Sequence, residues 1–209
     1  MKRDIWGKNG SNGVAPAIIL TNPKYPNNVG MVLRLASSYG IKQVWFTGDR
    51  VRIDVEGGKR LPREERMKGY GEVNLVNYDY PFDRFPQGVT PIGVEVMEGA
   101  EPLFSFEHPE NAVYVFGPED GGLDHTARRH CHRFVVIPTR HCLNLATAVA
   151  TVLYDRASKR AAKGLEAPVT PGEFEGRGGL RVDPDDGLGW QDAHDDVSHN
   201  PTGTMKRAT

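Results

Sequence analysis

The chain has 209 residues, 38% hydrophobic and 25% charged, enough to bury one core but not two. Its two cysteines, Cys131 and Cys142, make no disulfide framework, and no stretch approaches the roughly 18 apolar residues of a membrane span. The net charge of -1 hides an asymmetry, because residues 165–209 hold nine acidic and four basic side chains against 18 and 22 before them. The first residues are charged and glycine-rich where a signal peptide needs an apolar run, so a cytoplasmic protein with no membrane partner is expected. The expected organisation is a flexible segment over 1–14, one domain over 15–164, and an acidic tail over 165–209. The tail has no apolar period and cannot offset its ordering entropy.

In chain order, "AIIL" at Ala17 is the first short, fully apolar run and predicts a buried strand. Helical periodicity follows, with Val29, Val32, Leu33 and Ala36 at i, i+3, i+4 and i+7, Asn28 as the expected cap and Gly40 as the stop. Arg34 lies about 140° from Val29 on the wheel, off the apolar stripe, and is read either as an exposed arginine or as a ligand contact. "QVWFTG" at Gln43 is the next strand. After it, the segment 49–71 carries Arg50, Arg52, Lys59, Arg60, Arg63, Arg66 and Lys68, a solvated loop or a surface for a polyanion.

"PIGVEV" at Pro91, "VYVFG" at Val113 and "FVVIP" at Phe134 predict three more strands, and a helix with Leu145, Val149, Val152 and Leu153 on one face opens near Asn144. Strands alternating with helices predict an α/β domain with a mostly parallel sheet flanked by helices. Ligands in such folds bind outside the carboxyl ends of the strands. Two of those ends are chemically distinctive. "VFGPEDGGLD" lacks the lysine and spacing of a P-loop, but Gly117 permits close backbone approach and Glu119 can accept hydrogen bonds or meet a cation. "IPTRHCLNLATAVA" places Arg140 and His141 ahead of a helix start that Asn144 can cap. The scattered His125, His130, Cys131, His132, His141 and Cys142 show no paired C-x-x-C and cannot readily converge on a tetrahedral ion, so no metal is expected.

In this order, "NNVGMVLR", "VFGPEDGGL" and "IPTRHCLNLATAVATVLYD" resemble the three motifs of the SpoU/TrmH-like branch of the SPOUT RNA methyltransferases, over about residues 15 to 160. The resemblance implies a C-terminal trefoil knot, a homodimer, and S-adenosylmethionine held bent in the knot. It also implies transfer of a methyl group to a ribose 2′-hydroxyl of tRNA or rRNA, tRNA being favoured because the chain is similar to the minimal, single-domain members. Residue by residue, it carries roles onto Asn28, Gly30, Arg34, Glu119 and Asn144, and cofactor contacts onto Val94, Gly117, Ile137, Cys142 and Leu143. Cys142 stands where the family usually has serine, and the loop from Ile137 to Asn144 is about three residues shorter than its norm.

Because guanidinium is effectively always protonated, Arg34 is expected to anchor a phosphate and stabilise developing alkoxide rather than act as a base. Glu119 is expected to hold Arg34 or the motif loops, Asn144 to tie the loops, and Arg140 with the 49–71 cations to contact RNA phosphates. The alternative expectation is an RNA-binding module that keeps the fold without catalysis.

Overall fold

A run such as Ala17–Leu20, apolar at every position, has no face to offer water and must be covered on both sides. The computed structural model describes residues 15–51, 73–82 and 88–165, and within them both faces are covered. The strands are β1 (Ala17–Leu20), β2 (Gln43–Phe46), β3 (Asn74–Asn77), β4 (Thr90–Val94), β5 (Glu101–Pro102), β6 (Ala112–Phe116) and β7 (Arg133–Val136). They form one sheet in the order β3-β2-β1-β6-β4-β7-β5. Every pairing is parallel. All carboxyl ends therefore open onto the same edge.

The helices are α1 (Pro26–Ser38), α2 (His125–His130) and α3 (Leu145–Ala162). Alternate residues of one strand feed different cores. Ile18, Leu20, Tyr114 and Phe116 pack with Val29, Val32, Leu33 and Ala36 of α1 and with Leu145, Val149, Val152 and Leu153 of α3. Ala17, Ile19, Val113 and Val115 point the other way, toward Trp45, Leu123 and Ala127. The mostly parallel sheet flanked by helices stands as the sequence predicts.

Two starts and stops differ in instructive ways. Asn28 does not cap α1: Tyr25 is the capping residue, Pro26 opens the helix, and Asn28 is buried inside the first turn. Proline at that position loses no hydrogen bond and has its φ already set, so it displaces the asparagine as the starting signal. Gly40 does end the element, in the left-handed region at φ 69°. Strands β2, β4, β6 and β7 stop earlier than their apolar runs, at Phe46, Val94, Phe116 and Val136, and the trailing residues become loops.

Strands β3 and β5 and helix α2 were not anticipated. β3 is a half-exposed edge strand, "NLVN", and β5 is two residues long, so neither has enough apolar residues to show a pattern. The basic end of α3 is also less solvated than its composition implies. Arg156 is buried and donates to the Pro109 and Glu110 carbonyls at 2.7 and 3.0 Å. Arg52, Lys59, Arg60, Arg63, Arg66 and Lys68 lie outside the described residues, as do 1–14 and nearly all of the tail.

Candidate active site

Three loops leave the carboxyl edge of the sheet side by side, after β4, β6 and β7. Between them lies a cleft of about 550 Å³, lined among others by Val94, Glu95, Gly117, Glu119, Asp120, Ile137, Cys142 and Leu143. All five positions marked as cofactor contacts, Val94, Gly117, Ile137, Cys142 and Leu143, therefore face one space. Gly117 is required by a close approach: a Cβ there would stand 2.9 Å from the backbone of Gly122 and of Leu123. Its absence lets the loop after β6 fold tightly over the strand end.

Asn28, Glu119 and Asn144 join in a directed chain. Asn144 accepts from the backbone N–H groups of Ala146 at 2.9 Å and Thr147 at 3.4 Å with its Oδ1, which caps α3. That fixes which way its amide points, so its Nδ2 donates to Asn28 Oδ1 at 3.0 Å. Asn28 Nδ2 in turn donates to Glu119 Oε1 at 2.5 Å. The same carboxylate accepts from the backbone N–H groups of Lys24 at 2.7 Å and Tyr25 at 3.4 Å. Partial burial pushes the Glu119 carboxyl up, but these hydrogen bonds to its charged form outweigh that and hold it below the ordinary carboxylate value. An ionised Glu119 thus ties the loop after β6 to the start of α1, and Asn28 ties both to α3.

Other candidates fall elsewhere. Gly30 is buried in α1. Arg34 is exposed on α1 and does not line the cleft. Arg140 is exposed in the loop after β7. Arg50 donates from Nη1 and Nη2 to the two Asp120 oxygens at 2.9 and 2.7 Å. One contributor was missed: Glu95 lines the cleft and accepts from the N–H groups of Leu123 at 2.5 Å and Val96 at 2.9 Å. It binds the loop after β4 to the loop after β6. Its only signal was a carboxylate interrupting an apolar run at a strand end.

The described lining contains three carboxylates, from Glu95, Glu119 and Asp120, and no lysine, arginine or histidine. Asp120 is paired with Arg50 and Lys24, so Glu95 and Glu119 are the carboxylates that suit a cationic or zwitterionic ligand, with an apolar part for Val94, Ile137, Leu143 and Leu145. Among the described residues no helix is long and apolar enough to cross a membrane.

The model of the SpoU rRNA methylase family matches residues 15–154, which contain every one of these loops. The chain belongs to that family. Among its relatives is the tRNA (cytidine-2′-O-)-methyltransferase TrmJ of Methanocaldococcus jannaschii, 29% identical over 158 residues, covering 69% of this chain and 68% of TrmJ. The 23S rRNA (guanosine-2′-O-)-methyltransferase RlmB of Neisseria meningitidis is 25% identical, covering 70% of this chain and 59% of RlmB. In fold, the SpoU methyltransferase AviRb of Streptomyces viridochromogenes, solved in complex with AdoMet, superposes with a TM-score of 0.59 at 19% identity, over 77% of this chain and 62% of AviRb. The SpoU family segment thus spans the described sheet, while the longer relatives extend well beyond what this chain matches.

Proposed function

We propose that the protein is an S-adenosylmethionine-dependent RNA ribose 2′-O-methyltransferase that acts on tRNA in preference to rRNA. The observation that carries this reading is the meeting of the loops after β4, β6 and β7 at one cleft, with the last two tied to the start of α1 by the Asn144–Asn28–Glu119 chain, in a member of the SpoU family. The preference for tRNA rests on TrmJ being the more identical of these two relatives, at 29% against 25%, and on the larger share of its own length that is matched, 68% against 59%.

The residues fit the cofactor. The cleft volume falls within the roughly 300–1,000 Å³ of small-molecule sites, and its carboxylates match the ammonium and sulfonium charges while its apolar wall suits adenine. Val94, Gly117, Ile137, Cys142 and Leu143 would hold it. When bound, S-adenosylmethionine would supply a methyl carbon made electrophilic by its sulfonium sulfur, so the protein's work is alignment and management of the ribose proton. Glu119, Asn28 and Asn144 hold the cleft walls in register. Arg34, on the exposed flank of α1, anchors an RNA phosphate beside the ribose and stabilises negative charge on the attacking oxygen, with the proton leaving to phosphate or solvent.

The trefoil knot belongs to the same proposal. Val94 at the end of β4 and Glu101 at the start of β5 both register with Val135 of β7, so the segment 95–100 arches across the end of β7. In the proposed knot, the chain leaving β7 would thread this arch before α3 packs against α1, an exception to unknotted connections. A homodimer belongs to the same proposal, and Met31 of α1 and Tyr154 of α3 are exposed apolar side chains that such an interface would cover.

The test is transfer of label from methyl-labelled S-adenosylmethionine to pools of unmodified tRNA and rRNA, followed by alkaline digestion. Label in alkali-resistant dinucleotides from tRNA is the expected result. Label in mononucleotides means base methylation and overturns the chemistry. No label together with no cofactor binding points to a non-catalytic RNA-binding module.

A further inference from the structure

Beside Glu119, at the rim of the cleft, stands a cluster whose two cations, Lys24 and Arg50, take no part in holding the cofactor. Asp120 is half exposed and receives both terminal nitrogens of Arg50, while Lys24 Nζ lies 3.3 Å from Asp120 Oδ2. Arg50 also donates to the Asn22 carbonyl at 3.4 Å, and Lys24 is oriented by the Tyr25 ring, 5.4 Å from its nitrogen. Cations from the loops after β1 and β2 thus converge on one carboxylate from the loop after β6. The bidentate geometry and the second cation let this network tie three loops together, and the same donors suit a second anion.

The two-point fork that Arg50 makes to the carboxylate is the geometry by which guanidinium grips a phosphodiester. With Lys24 as a second cation, the site has the donors of a phosphate cradle already formed, and a carboxylate in the anion's place. We propose that Lys24 and Arg50 form a phosphodiester clamp for the RNA strand entering the cleft, and that Asp120 is its built-in placeholder, displaced when RNA binds. This rests on the RNA methyltransferase reading. The placeholder keeps the donors arranged without RNA and makes weak, non-specific polyanions compete against an internal anion. The carboxyl is held far below its ordinary value, above all by the Arg50 hydrogen bonds, so it remains a competing anion across the physiological pH range.

The decisive property is the sign of three substitutions. Removing the competitor in D120N frees two cations and is expected to tighten binding roughly three- to ten-fold and steepen the salt dependence. Removing a clamp member in R50Q or K24Q is expected to weaken binding and to flatten the slope of log affinity against log salt by roughly 0.7 to 0.9 per charge. A bridge that merely pins two loops would make D120N and R50Q fail in the same direction.

The experiment is fluorescence anisotropy of the full chain with unmodified tRNA transcripts across a KCl series, with S-adenosylhomocysteine binding measured on each variant. Opposite signs for D120N and R50Q, with cofactor affinity retained in R50Q, support the clamp. Equal signs, or unchanged RNA affinity and slope in a protein that still methylates RNA, overturn the clamp alone. A wild-type chain that neither binds nor methylates RNA overturns the enzyme reading and the clamp with it.

Discussion

The two cysteines show how burial decides chemistry that composition leaves open. Cys131 follows α2 and is buried, and desolvation pushes its thiol up to about 12, so it carries almost no thiolate at neutral pH. Cys142 is exposed and lines the cleft. A thiol reagent such as iodoacetamide is expected to label Cys142 at neutral pH and spare Cys131 until the protein unfolds. S-adenosylhomocysteine should slow that labelling several-fold, and peptide mass mapping reads both. Labelling of Cys142 unaffected by saturating ligand would remove this residue from the cofactor wall. Arg34 was legible at this scale as an off-stripe position, and it is exposed as the wheel requires. The place of Asn28 inside α1 rather than at its cap was not, because a side chain's value as a cap depends on where the helix starts, and Pro26 moved that start upstream.

At the scale of the element, the start of α3 does two jobs with one residue. Asn144 caps the helix with its oxygen and orients Asn28 with its nitrogen. N144A removes both, and loss of the cap alone costs about 1 kcal/mol, with more from leaving Asn28 Oδ1 without that donor. N144D keeps an acceptor for the Ala146 and Thr147 N–H groups and adds negative charge at a helix N-terminus, which is favourable, yet it has no donor for Asn28. Urea denaturation should therefore rank stability as wild type, then N144D, then N144A. Methyl transfer should fall at least ten-fold in both. Wild-type turnover in N144D would separate the Asn28 contact from catalysis. The five apolar runs were recognisable as strands because burial on both faces demands unbroken hydrophobicity. β3 and β5 were not, since pairing with a neighbour, rather than their own composition, holds them in place.

Across the whole molecule, a partly buried polar cluster couples the middle of the sheet to the C-terminal half of α3. His108 Nδ1 lies 2.6 Å from the Tyr114 hydroxyl and Nε2 lies 2.7 Å from Asp155 Oδ2, which also takes a bond from Lys159 at 2.6 Å. The Asp155 carboxylate can only accept, so Nε2–H donates to it and Nδ1 accepts from Tyr114. Burial lowers the His108 value, against the opposing pull of Asp155, and burial pushes Tyr114 up to about 12. A folded value below the unfolded one means that the unfolded chain binds the extra proton. Stability is full above the unfolded histidine value near 6.5 and is lost as pH falls from there through the folded value. Denaturant midpoints should drop between neutral pH and pH of about 5.5, and the drop should shrink in H108Q, which has no proton to take up. An identical pH slope in H108Q would assign the acid sensitivity to other groups.

The sequence by itself determined five of the seven described strands, β1, β2, β4, β6 and β7, and the helices α1 and α3, because hydrophobic periodicity and breaker residues act locally. It also determined the three motif segments, whose residue types survive without their neighbours. Only the tertiary structure decided that Glu119 would hold the start of α1, that Glu95 would bridge two loops, and that Arg50 would face Asp120 across 70 positions of chain. These pairings depend on the order of strands in the sheet, which sets β6 between β1 and β4 and so brings their loops together. No local pattern encodes that adjacency, since it follows from how both faces of every strand can be covered at once.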